Sequence, residues 1–177
     1  MTDADQFEAF VRRYQDMVFA TAVRLLGNPT EAEDIAQTVF MRAFQRFEEL
    51  GSSPTAAGWL KTVTRNSCLN HLSRYRRRWR LFSELATTDD TAEGLASSEL
   101  LAIAPSVPDD LERSERQARL ERALRELPDH QRVPLVLFHF EELSYQDIAH
   151  TLGVSLGKVK TDIHRGREAL RLRLSTE

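Results

Sequence analysis

The stretch that decides the fold lies near the C-terminus, where residues 143–167 read LSYQDIAHTLGVSLGKVKTDIHRGR. Its pattern predicts a helix, a tight turn and a second helix. Ser144 can cap the first helix, and Asp147 three positions later completes a short capping box. Gly153 follows the apolar face of that helix, at the point where many helices end in a left-handed residue. Ser155 is then predicted to cap the second helix.

The second helix of this stretch combines a small apolar core with a basic surface. Val159 and Ile163 are four residues apart and are predicted to point inward. Between Lys158 and Arg173 there are six basic and two acidic residues, although the net charge of the chain is −3. This combination suits a recognition helix in the major groove of DNA. A two-helix corner with a solvated basic face is the alternative, and the local concentration of positive charge weighs against it.

The composition of the 177-residue chain is that of an ordinary globular protein, with 41% hydrophobic and 29% charged residues. This length accommodates one domain or two small ones. The single cysteine, Cys68, excludes an internal disulfide framework and is predicted to lie in a helix core instead of binding a metal. The sequence has no apolar run of membrane-spanning length and no signal-peptide pattern at its N-terminus, so we expect a cytoplasmic protein.

Charge is segregated along the chain. Residues 1–50 carry five basic and nine acidic residues, and residues 51–80 carry seven basic and no acidic ones. Residues 81–112 carry eight acidic and no basic residues, and residues 113–177 carry twelve basic and ten acidic ones. Two basic surfaces separated by an acidic segment suggest two DNA contacts. We therefore predict an all-α protein with two small helical domains, 1–80 and 113–177, joined by an acidic flexible linker.

The N-terminal domain is predicted to contain three amphipathic helices. Apolar residues recur at spacings of three and four from about residue 5 to 26 and from about residue 31 to 49. A capping box of Thr30 and Glu33 is predicted to open the second of these helices. A third helix is predicted from about Thr55 to Arg80, and its basic end contains two aromatic residues that could stack on unpaired bases.

The second predicted helix has a wider apolar stripe than a three-helix domain needs. Phe40 and Phe44 lie at the edge of the stripe beside Gln37 and Met41, with Asp34 next around the helix. The extra apolar residues of this stripe are either additional core or a surface that binds another protein. The second alternative is suggested by the polar and acidic groups that flank the aromatic rings.

The C-terminal domain is predicted to begin with two helices ahead of the 143–167 stretch. Helices resume near Leu111 and pause at Pro128. The segment 129–141 that follows is strongly apolar and contains Pro134. Because proline is poorly tolerated beyond the first turn of a helix, we expect this helix to begin late or to bend.

Several segments now match a known family in order along the chain. The N-terminal matches are residues 33–44 (EDIAQTVFMRAF), Trp59-Leu60 and Arg65-Asn66. The C-terminal matches include residues 143–149 (LSYQDIA), 152–155 (LGVS) and 164–170 (HRGREAL). Through these segments the chain resembles, over nearly its whole length, bacterial sigma factors of the extracytoplasmic-function group.

The resemblance implies a division of work between the two domains. The N-terminal domain would dock on the beta-prime clamp helices of core RNA polymerase and open the minus-ten promoter element. The C-terminal domain would meet the beta flap and bind the minus-thirty-five element as duplex DNA, and the linker would run toward the active-site and RNA-exit channel. An anti-sigma factor is a further implied partner, whereas no cofactor, metal or catalytic residue is implied.

The resemblance also assigns individual residues. The polymerase-binding positions are Asp34, Gln37, Phe40, Met41 and Phe44. The minus-ten DNA positions are Ser53, Trp59, Lys61, Arg65, Asn66, Arg74, Arg76 and Arg77. The minus-thirty-five DNA positions are Ser155, Lys158, Lys160, Thr161, His164, Arg165 and Arg167. Within the last set, Lys160, Thr161 and His164 are expected to contact bases, and Arg165 and Arg167 are expected to contact phosphates.

Four residues depart from the family pattern. Thr38 stands where an acidic residue is usual, Lys158 where threonine is common, Asp162 where arginine is common, and Gly166 where alanine is common. Asp162 would repel phosphate if it faced DNA. The minus-thirty-five sequence is therefore not transferable from relatives.

Two other functions compete with that of a sigma factor. A helix-turn-helix regulator acting without polymerase would bind duplex DNA tightly by itself. A nuclease with a DNA-binding tail would need a catalytic site, but the sequence offers no Gly-rich phosphate loop, metal-spaced cluster or triad-like set, and its histidines are scattered. We therefore expect a protein that is not an enzyme.

Overall fold

The computed structural model describes residues 3–73 and 110–175, and these form eight helices and no strand. The chain divides into two compact units, Met1–Arg74 and Tyr75–Glu177. The predicted all-α architecture with two helical domains is confirmed. The predicted linker, up to residue 109, and the basic end of the third predicted helix lie outside the described residues.

The first unit is a bundle built on three long helices. Its elements are α1 (Asp3–Leu26), α2 (Pro29–Gln45), the short α3 (Phe47–Leu50) and α4 (Ala56–His71). Helix α1 packs against α2 and α4, which also contact each other. The side chains of Val18, Leu25, Val39 and Leu60 are fully buried between them. Cys68 is also fully buried, as predicted.

The beginning and end of α2 differ from the sequence prediction. Asn28, not Thr30, is the N-cap, because its side-chain oxygen accepts hydrogen bonds from the backbone N–H groups of Thr30 and Glu31 at 3.0 and 3.4 Å. Pro29 follows at the first helical position, where its missing N–H is not needed. The predicted single helix to residue 49 is also interrupted, because the backbone leaves helical geometry at Arg46 (φ −120°, ψ 21°).

The second unit contains the remaining four helices. They are α5 (Asp110–Arg125), α6 (Asp129–His139), α7 (Tyr145–Leu152) and α8 (Leu156–Ser175). Helix α8 is central, because it packs against α5, α6 and α7. The side chains of Leu124, Val136, Ile148 and Ile163 are at most 1% exposed and form the core between these helices. Helix α5 begins three residues before the predicted domain boundary at 113.

We expected this helix to begin late or to bend; it begins at Asp129, so the late start is wrong. Pro134 is the sixth residue of the helix and cannot donate a hydrogen bond to the carbonyl of His130. Val133, Leu135, Val136 and Leu137 are all at most 1% exposed. Burying each of these side chains contributes about 1.5–3 kcal/mol, which together exceeds the roughly 3 kcal/mol that an interior proline costs.

The start of α6 is also fixed by a buried arginine that the sequence did not single out. Arg132 is 3% exposed, donates a 2.7 Å hydrogen bond to the carbonyl oxygen of Leu127 and pairs with Asp129. These contacts connect the turn that follows α5 with the first turn of α6. In the sequence, the only indication that Arg132 is buried is its helical spacing from apolar residues. The same spacing also suits an exposed arginine.

Replacing Arg132 with methionine should destabilise the protein by about 1–3 kcal/mol, because the carbonyl of Leu127 would lose its hydrogen bond in a buried position. Urea denaturation of the full chain measures this difference. The control is Arg125→Met on the exposed surface of α5, for which a change within about 0.5 kcal/mol is expected. Equal stability of the two variants would show that Arg132 does not stabilise this corner.

Candidate DNA-binding helix and apolar groove

Helices α7 and α8 form the predicted helix-turn-helix. The Ser144 hydroxyl oxygen accepts the backbone N–H of Asp147 at 3.1 Å, so the predicted cap is confirmed. The Asp147 carboxylate accepts a hydrogen bond from the same hydroxyl at 2.8 Å. Gly153 has φ 67° and ψ 39° and ends α7 in the predicted left-handed conformation. Ser155 accepts the backbone N–H of Lys158 at 3.2 Å at the start of α8.

The inward face of α8 holds it close to α6. Val159 and Ile163 are 1% and 0% exposed, which confirms their predicted orientation. Gly166 lies on the same side of the helix and is buried. A Cβ atom at this position would lie 3.3 Å from the carbonyl oxygen of Gln131, so glycine instead of the usual alanine suits the close approach of the two helices.

Four of the predicted minus-thirty-five residues lie toward the outer surface of the first half of α8. Lys160, His164 and Arg165 are exposed, and Thr161 is half-buried between them. Lys160 and His164 are one helical turn apart, as are Thr161 and Arg165. Ser155 is exposed at the N-terminal end of the helix. We call Lys160, Thr161, His164 and Arg165 the outer row of α8.

Lys158 and Asp162 do not belong to the outer row, because they pair with each other. The Nζ atom of Lys158 lies 2.7 Å from Oδ2 of Asp162, and the two side chains are 14% and 7% exposed. Burial raises the pKa of the Asp162 carboxyl, while the hydrogen bond and the charge of Lys158 oppose that rise. Two departures from the family pattern are therefore partners, and Asp162 does not present its charge on the outer surface.

Arg167 also differs from its predicted role as a phosphate contact. Its guanidinium carbon lies 5.5 Å from the ring centroid of Phe138, and its Nε donates a 3.2 Å hydrogen bond to Nε2 of His139. Arg167 follows Ile163 by four positions, which carries its side chain to the edge of the inward face beside α6. In this structure, which holds no DNA, Arg167 therefore packs against α6 instead of lying in the outer row.

Burial, together with the contact with Arg167, makes His139 a source of acid sensitivity. Burial lowers the pKa of His139, and the neighbouring charge of Arg167 lowers it further. The folded protein therefore resists protonation of this ring more than the unfolded chain does. The stabilising contribution of neutral His139 is present above the ordinary pKa of about 6.5 and is lost as the pH falls below that value.

His139→Gln should therefore reduce the acid sensitivity of folding, because a glutamine side chain can accept the hydrogen bond from Arg167 but does not titrate. We expect the melting temperature of the wild type to fall more than that of the variant between about pH 7.5 and about pH 5.5. Differential scanning fluorimetry of the full chain measures both. The control is His164→Gln, on the exposed face of α8, whose melting temperature should depend on pH as that of the wild type does. The prediction would be contradicted if the melting temperatures of all three proteins changed identically with pH.

An apolar groove lies between α1 and α2 in the first unit. Its volume is about 980 Å³. Met41 and Phe44 on α2 are 67% and 59% exposed in it, whereas Phe40 is half-buried and packs on the core. The groove is lined by Phe7, Val11, Gln15, Asp16, Phe19, Glu33, Ala36, Gln37, Phe40, Met41, Phe44 and Gln45. The surplus apolar stripe of α2 is therefore partly core and partly exposed surface.

Helix α1 supplies the side of this groove that the sequence analysis missed. The ring of Phe7 lies edge-on to Phe44, with their centroids 4.9 Å apart. Phe7 and Val11 belong to the apolar residues whose spacing predicted an amphipathic helix here, and that spacing does not distinguish a core from the wall of a groove. Asp34 is exposed on α2 but does not line the groove.

The predicted minus-ten residues are only partly brought together. Lys61 and Arg65 are one turn apart on α4 and are half-buried, and Asn66, next to Arg65, is exposed. Trp59 is half-buried, packs on the core and lies 5.8 Å below the guanidinium carbon of Arg46. Ser53 accepts a hydrogen bond from the backbone N–H of Thr55 at 3.2 Å in the turn before α4. Arg74, Arg76 and Arg77 lie outside the described residues.

Two further sequence expectations concern sites and membranes. Within residues 3–73 and 110–175, no group of three or more His, Cys, Asp or Glu side chains is arranged to hold a metal ion. Among these same residues there is no helix with the length and hydropathy needed to cross a bilayer.

The sequence is similar to proteins of one family throughout. Residues 10–78 match the family Sigma-70 region 2, and residues 117–170 match Sigma-70, region 4. The chain is 34% identical to the ECF RNA polymerase sigma factor SigW of Bacillus subtilis, with 97% of this chain and 90% of that protein covered. It is 36% identical to the ECF RNA polymerase sigma factor SigE of Mycolicibacterium smegmatis, with 93% of this chain and 60% of that protein covered.

A solved structure covers a similar share of the chain. The sigma factor RpoE of Bartonella quintana, in complex with the anti-sigma factor NepR, aligns with 97% of this chain and 98% of its own. The two are 24% identical in sequence and superpose with a TM-score of 0.48.

Proposed function

Because the chain belongs to the extracytoplasmic-function sigma factors, we propose that it directs core RNA polymerase to specific promoters and takes part in opening them. The observation that carries this proposal is the presence of both sigma regions, in order, on two separately packed helical units. A helix-turn-helix regulator acting alone would need only the second of these units for DNA binding.

The groove between α1 and α2 is the proposed docking site for the beta-prime clamp helices. Among the described residues of the first unit, Met41 and Phe44 are the most exposed large apolar side chains. Covering each of them would contribute up to about 1.5–3 kcal/mol to binding. Gln37 at the groove and Asp34 beside it are proposed as polar contacts that fix the orientation of the partner, with Phe40 supporting the apolar surface from below.

The outer row of α8 is the proposed contact with the minus-thirty-five duplex. Basic side chains gain affinity when phosphates release their condensed counterions, and contacts to base edges then discriminate by roughly 1–3 kcal/mol each. Lys160, Thr161 and His164 are proposed to contact bases, because the first half of a recognition helix reaches deepest into the major groove. Arg165 and the exposed Ser155 are proposed to contact phosphates.

The minus-ten contact is proposed for α4 and the turn before it. Lys61, Arg65 and Asn66 offer charge and hydrogen-bond donors along one helix, and Ser53 and Trp59 lie at its beginning. A polar pocket and an aromatic ring can offset the loss of stacking and pairing when a base leaves the duplex. The bond-forming chemistry would be the polymerase's, and we propose that the chain acts in the cytoplasm, where polymerase and chromosome are.

Transcription by reconstituted holoenzyme tests the proposed function. The full chain and core polymerase are incubated with fragmented genomic DNA, and the transcript 5′ ends are sequenced. We expect starts that cluster downstream of one shared pair of promoter elements and that disappear without the chain. Tight duplex binding by the free chain, with no promoter-specific transcript, would instead identify a regulator that acts without polymerase.

A further inference from the structure

The pair formed by Lys158 and Asp162 lies at the edge of the proposed DNA-binding surface. Both residues are in the first half of α8, and Arg165 follows Lys158 by seven positions, so all three share one side of the helix. Their charges also act on His130 of α6: burial lowers the pKa of that ring, Asp162 opposes this, and Lys158 and Arg165 add to it. The three charged groups therefore lie close together on the side of α8 that is near His130 of α6.

The Lys158 ammonium is directed away from solvent. Its side chain is 14% exposed, and the carboxylate that it meets is 7% exposed, with 2.7 Å between Nζ and Oδ2. Arg165, on the same side of the helix, is exposed. A buried carboxylate whose partner moves into water is left uncompensated, which is strongly unfavourable. The carboxylate therefore opposes any movement of Lys158 toward a DNA phosphate.

We propose that Asp162 is a positioning residue that withholds Lys158 from the DNA backbone. This inference rests on the proposed docking of α8 on the minus-thirty-five duplex. Contacts with phosphate are independent of sequence, so withholding one cation lowers the affinity for every duplex and leaves the contacts with bases as a larger share of the binding energy. Without the carboxylate, the flexible four-carbon stem of lysine would let the ammonium reach the phosphates beside Arg165.

The test measures how binding depends on salt. Complexes of the full chain with core polymerase are titrated onto short labelled duplexes that carry the mapped minus-thirty-five element, or a scrambled one, and that end before the minus-ten element. Fluorescence anisotropy between about 50 and about 200 mM KCl gives the slope of log affinity against log salt. The variants are D162N, the pair-neutral K158Q/D162N, and R165Q as the control for a lost phosphate contact.

We expect D162N to bind both duplexes more tightly, by similar factors, and to steepen the slope by about 0.9. The gain in affinity should therefore be roughly 3.5-fold smaller at about 200 mM KCl than at about 50 mM KCl. K158Q/D162N should return to the wild-type slope, and R165Q should lower the slope by about 0.9. A merely structural role for Asp162 would weaken binding without adding to the slope.

Two results would overturn the proposal. One is a D162N slope equal to that of the wild type. The other is a K158Q/D162N slope about 0.9 below it, which would show that Lys158 already contacts phosphate in the wild type. The double variant removes both charges together and so decides the question even if D162N does not fold. If R165Q leaves the slope unchanged and the wild type does not distinguish the two duplexes, the proposed docking of α8 itself fails, and this inference with it.

Discussion

Replacing Phe44 with arginine is expected to weaken the binding of the chain to core polymerase by about 30-fold or more, which corresponds to the loss of an interface hot spot of about 2 kcal/mol. The ring is 59% exposed in the groove between α1 and α2, so an apolar partner that covers it would meet a charge instead. Burying that guanidinium without a counter-charge would add a desolvation penalty. Surface plasmon resonance with immobilised core polymerase measures the change.

Folding should be little affected by this substitution. The arginine stem can still cover part of Phe7, and the lost ring contact is worth only about 0.5–1.5 kcal/mol. The matched control is Ala9→Arg, which adds the same charge at an exposed position of α1 that does not line the groove. Its binding should equal that of the wild type. Unchanged binding of Phe44→Arg would show that polymerase docks elsewhere on the first unit.

The helix-turn-helix could be predicted from sequence because its signals are local. Ser144, Gly153 and Ser155 each act on the backbone within a few residues, through hydrogen bonds or a left-handed conformation. The spacing of Val159 and Ile163 was enough to predict which face of α8 points inward. All five residues were predicted correctly, and none of these inferences required knowledge of which other helix would pack nearby.

The roles of Lys158 and Arg167 could not be predicted in the same way. Both are basic residues on a helix with a basic surface, and the sequence treats them as equivalent to Lys160 and Arg165. Arg167 packs instead against Phe138 and His139, which precede it by about thirty positions on α6. Lys158 meets a carboxylate four residues away, but only the burial of that carboxylate against α6 distinguishes the pair from an ordinary exposed one.

The errors at α2 have a different cause, since two local signals competed. Thr30 and Glu33 have capping-box spacing, but Asn28 is a strong N-cap residue and is followed by proline, which prefers the first helical position. The break at Arg46 brings the ring of Phe47 to 5.1 and 5.5 Å from those of Phe7 and Phe10 on α1. Periodicity alone did not reveal this contact, because an uninterrupted helix has the same pattern of apolar residues.

Replacing Lys160 with alanine is expected to reduce affinity for the matched minus-thirty-five duplex by roughly 1–3 kcal/mol, or about 5- to 150-fold. Lys160 is exposed at the fifth position of α8, in the half of a recognition helix that reaches base edges, and His164 lies one turn farther along the same face. The affinity for a scrambled duplex should change much less, so the ratio of the two affinities should fall. Anisotropy with the full chain bound to core polymerase gives both values.

Arg165→Ala provides the contrast that separates contact with bases from contact with phosphates. Arg165 is exposed farther along α8, and its loss should weaken binding to matched and scrambled duplexes alike and lower the salt slope by about one unit. Arg167→Ala, in contrast, should leave the slope unchanged and lower the melting temperature, because this side chain contacts α6. If Lys160→Ala weakens both duplexes equally, Lys160 is a phosphate contact, and the base contacts must come from Thr161, His164 or another element of the second unit.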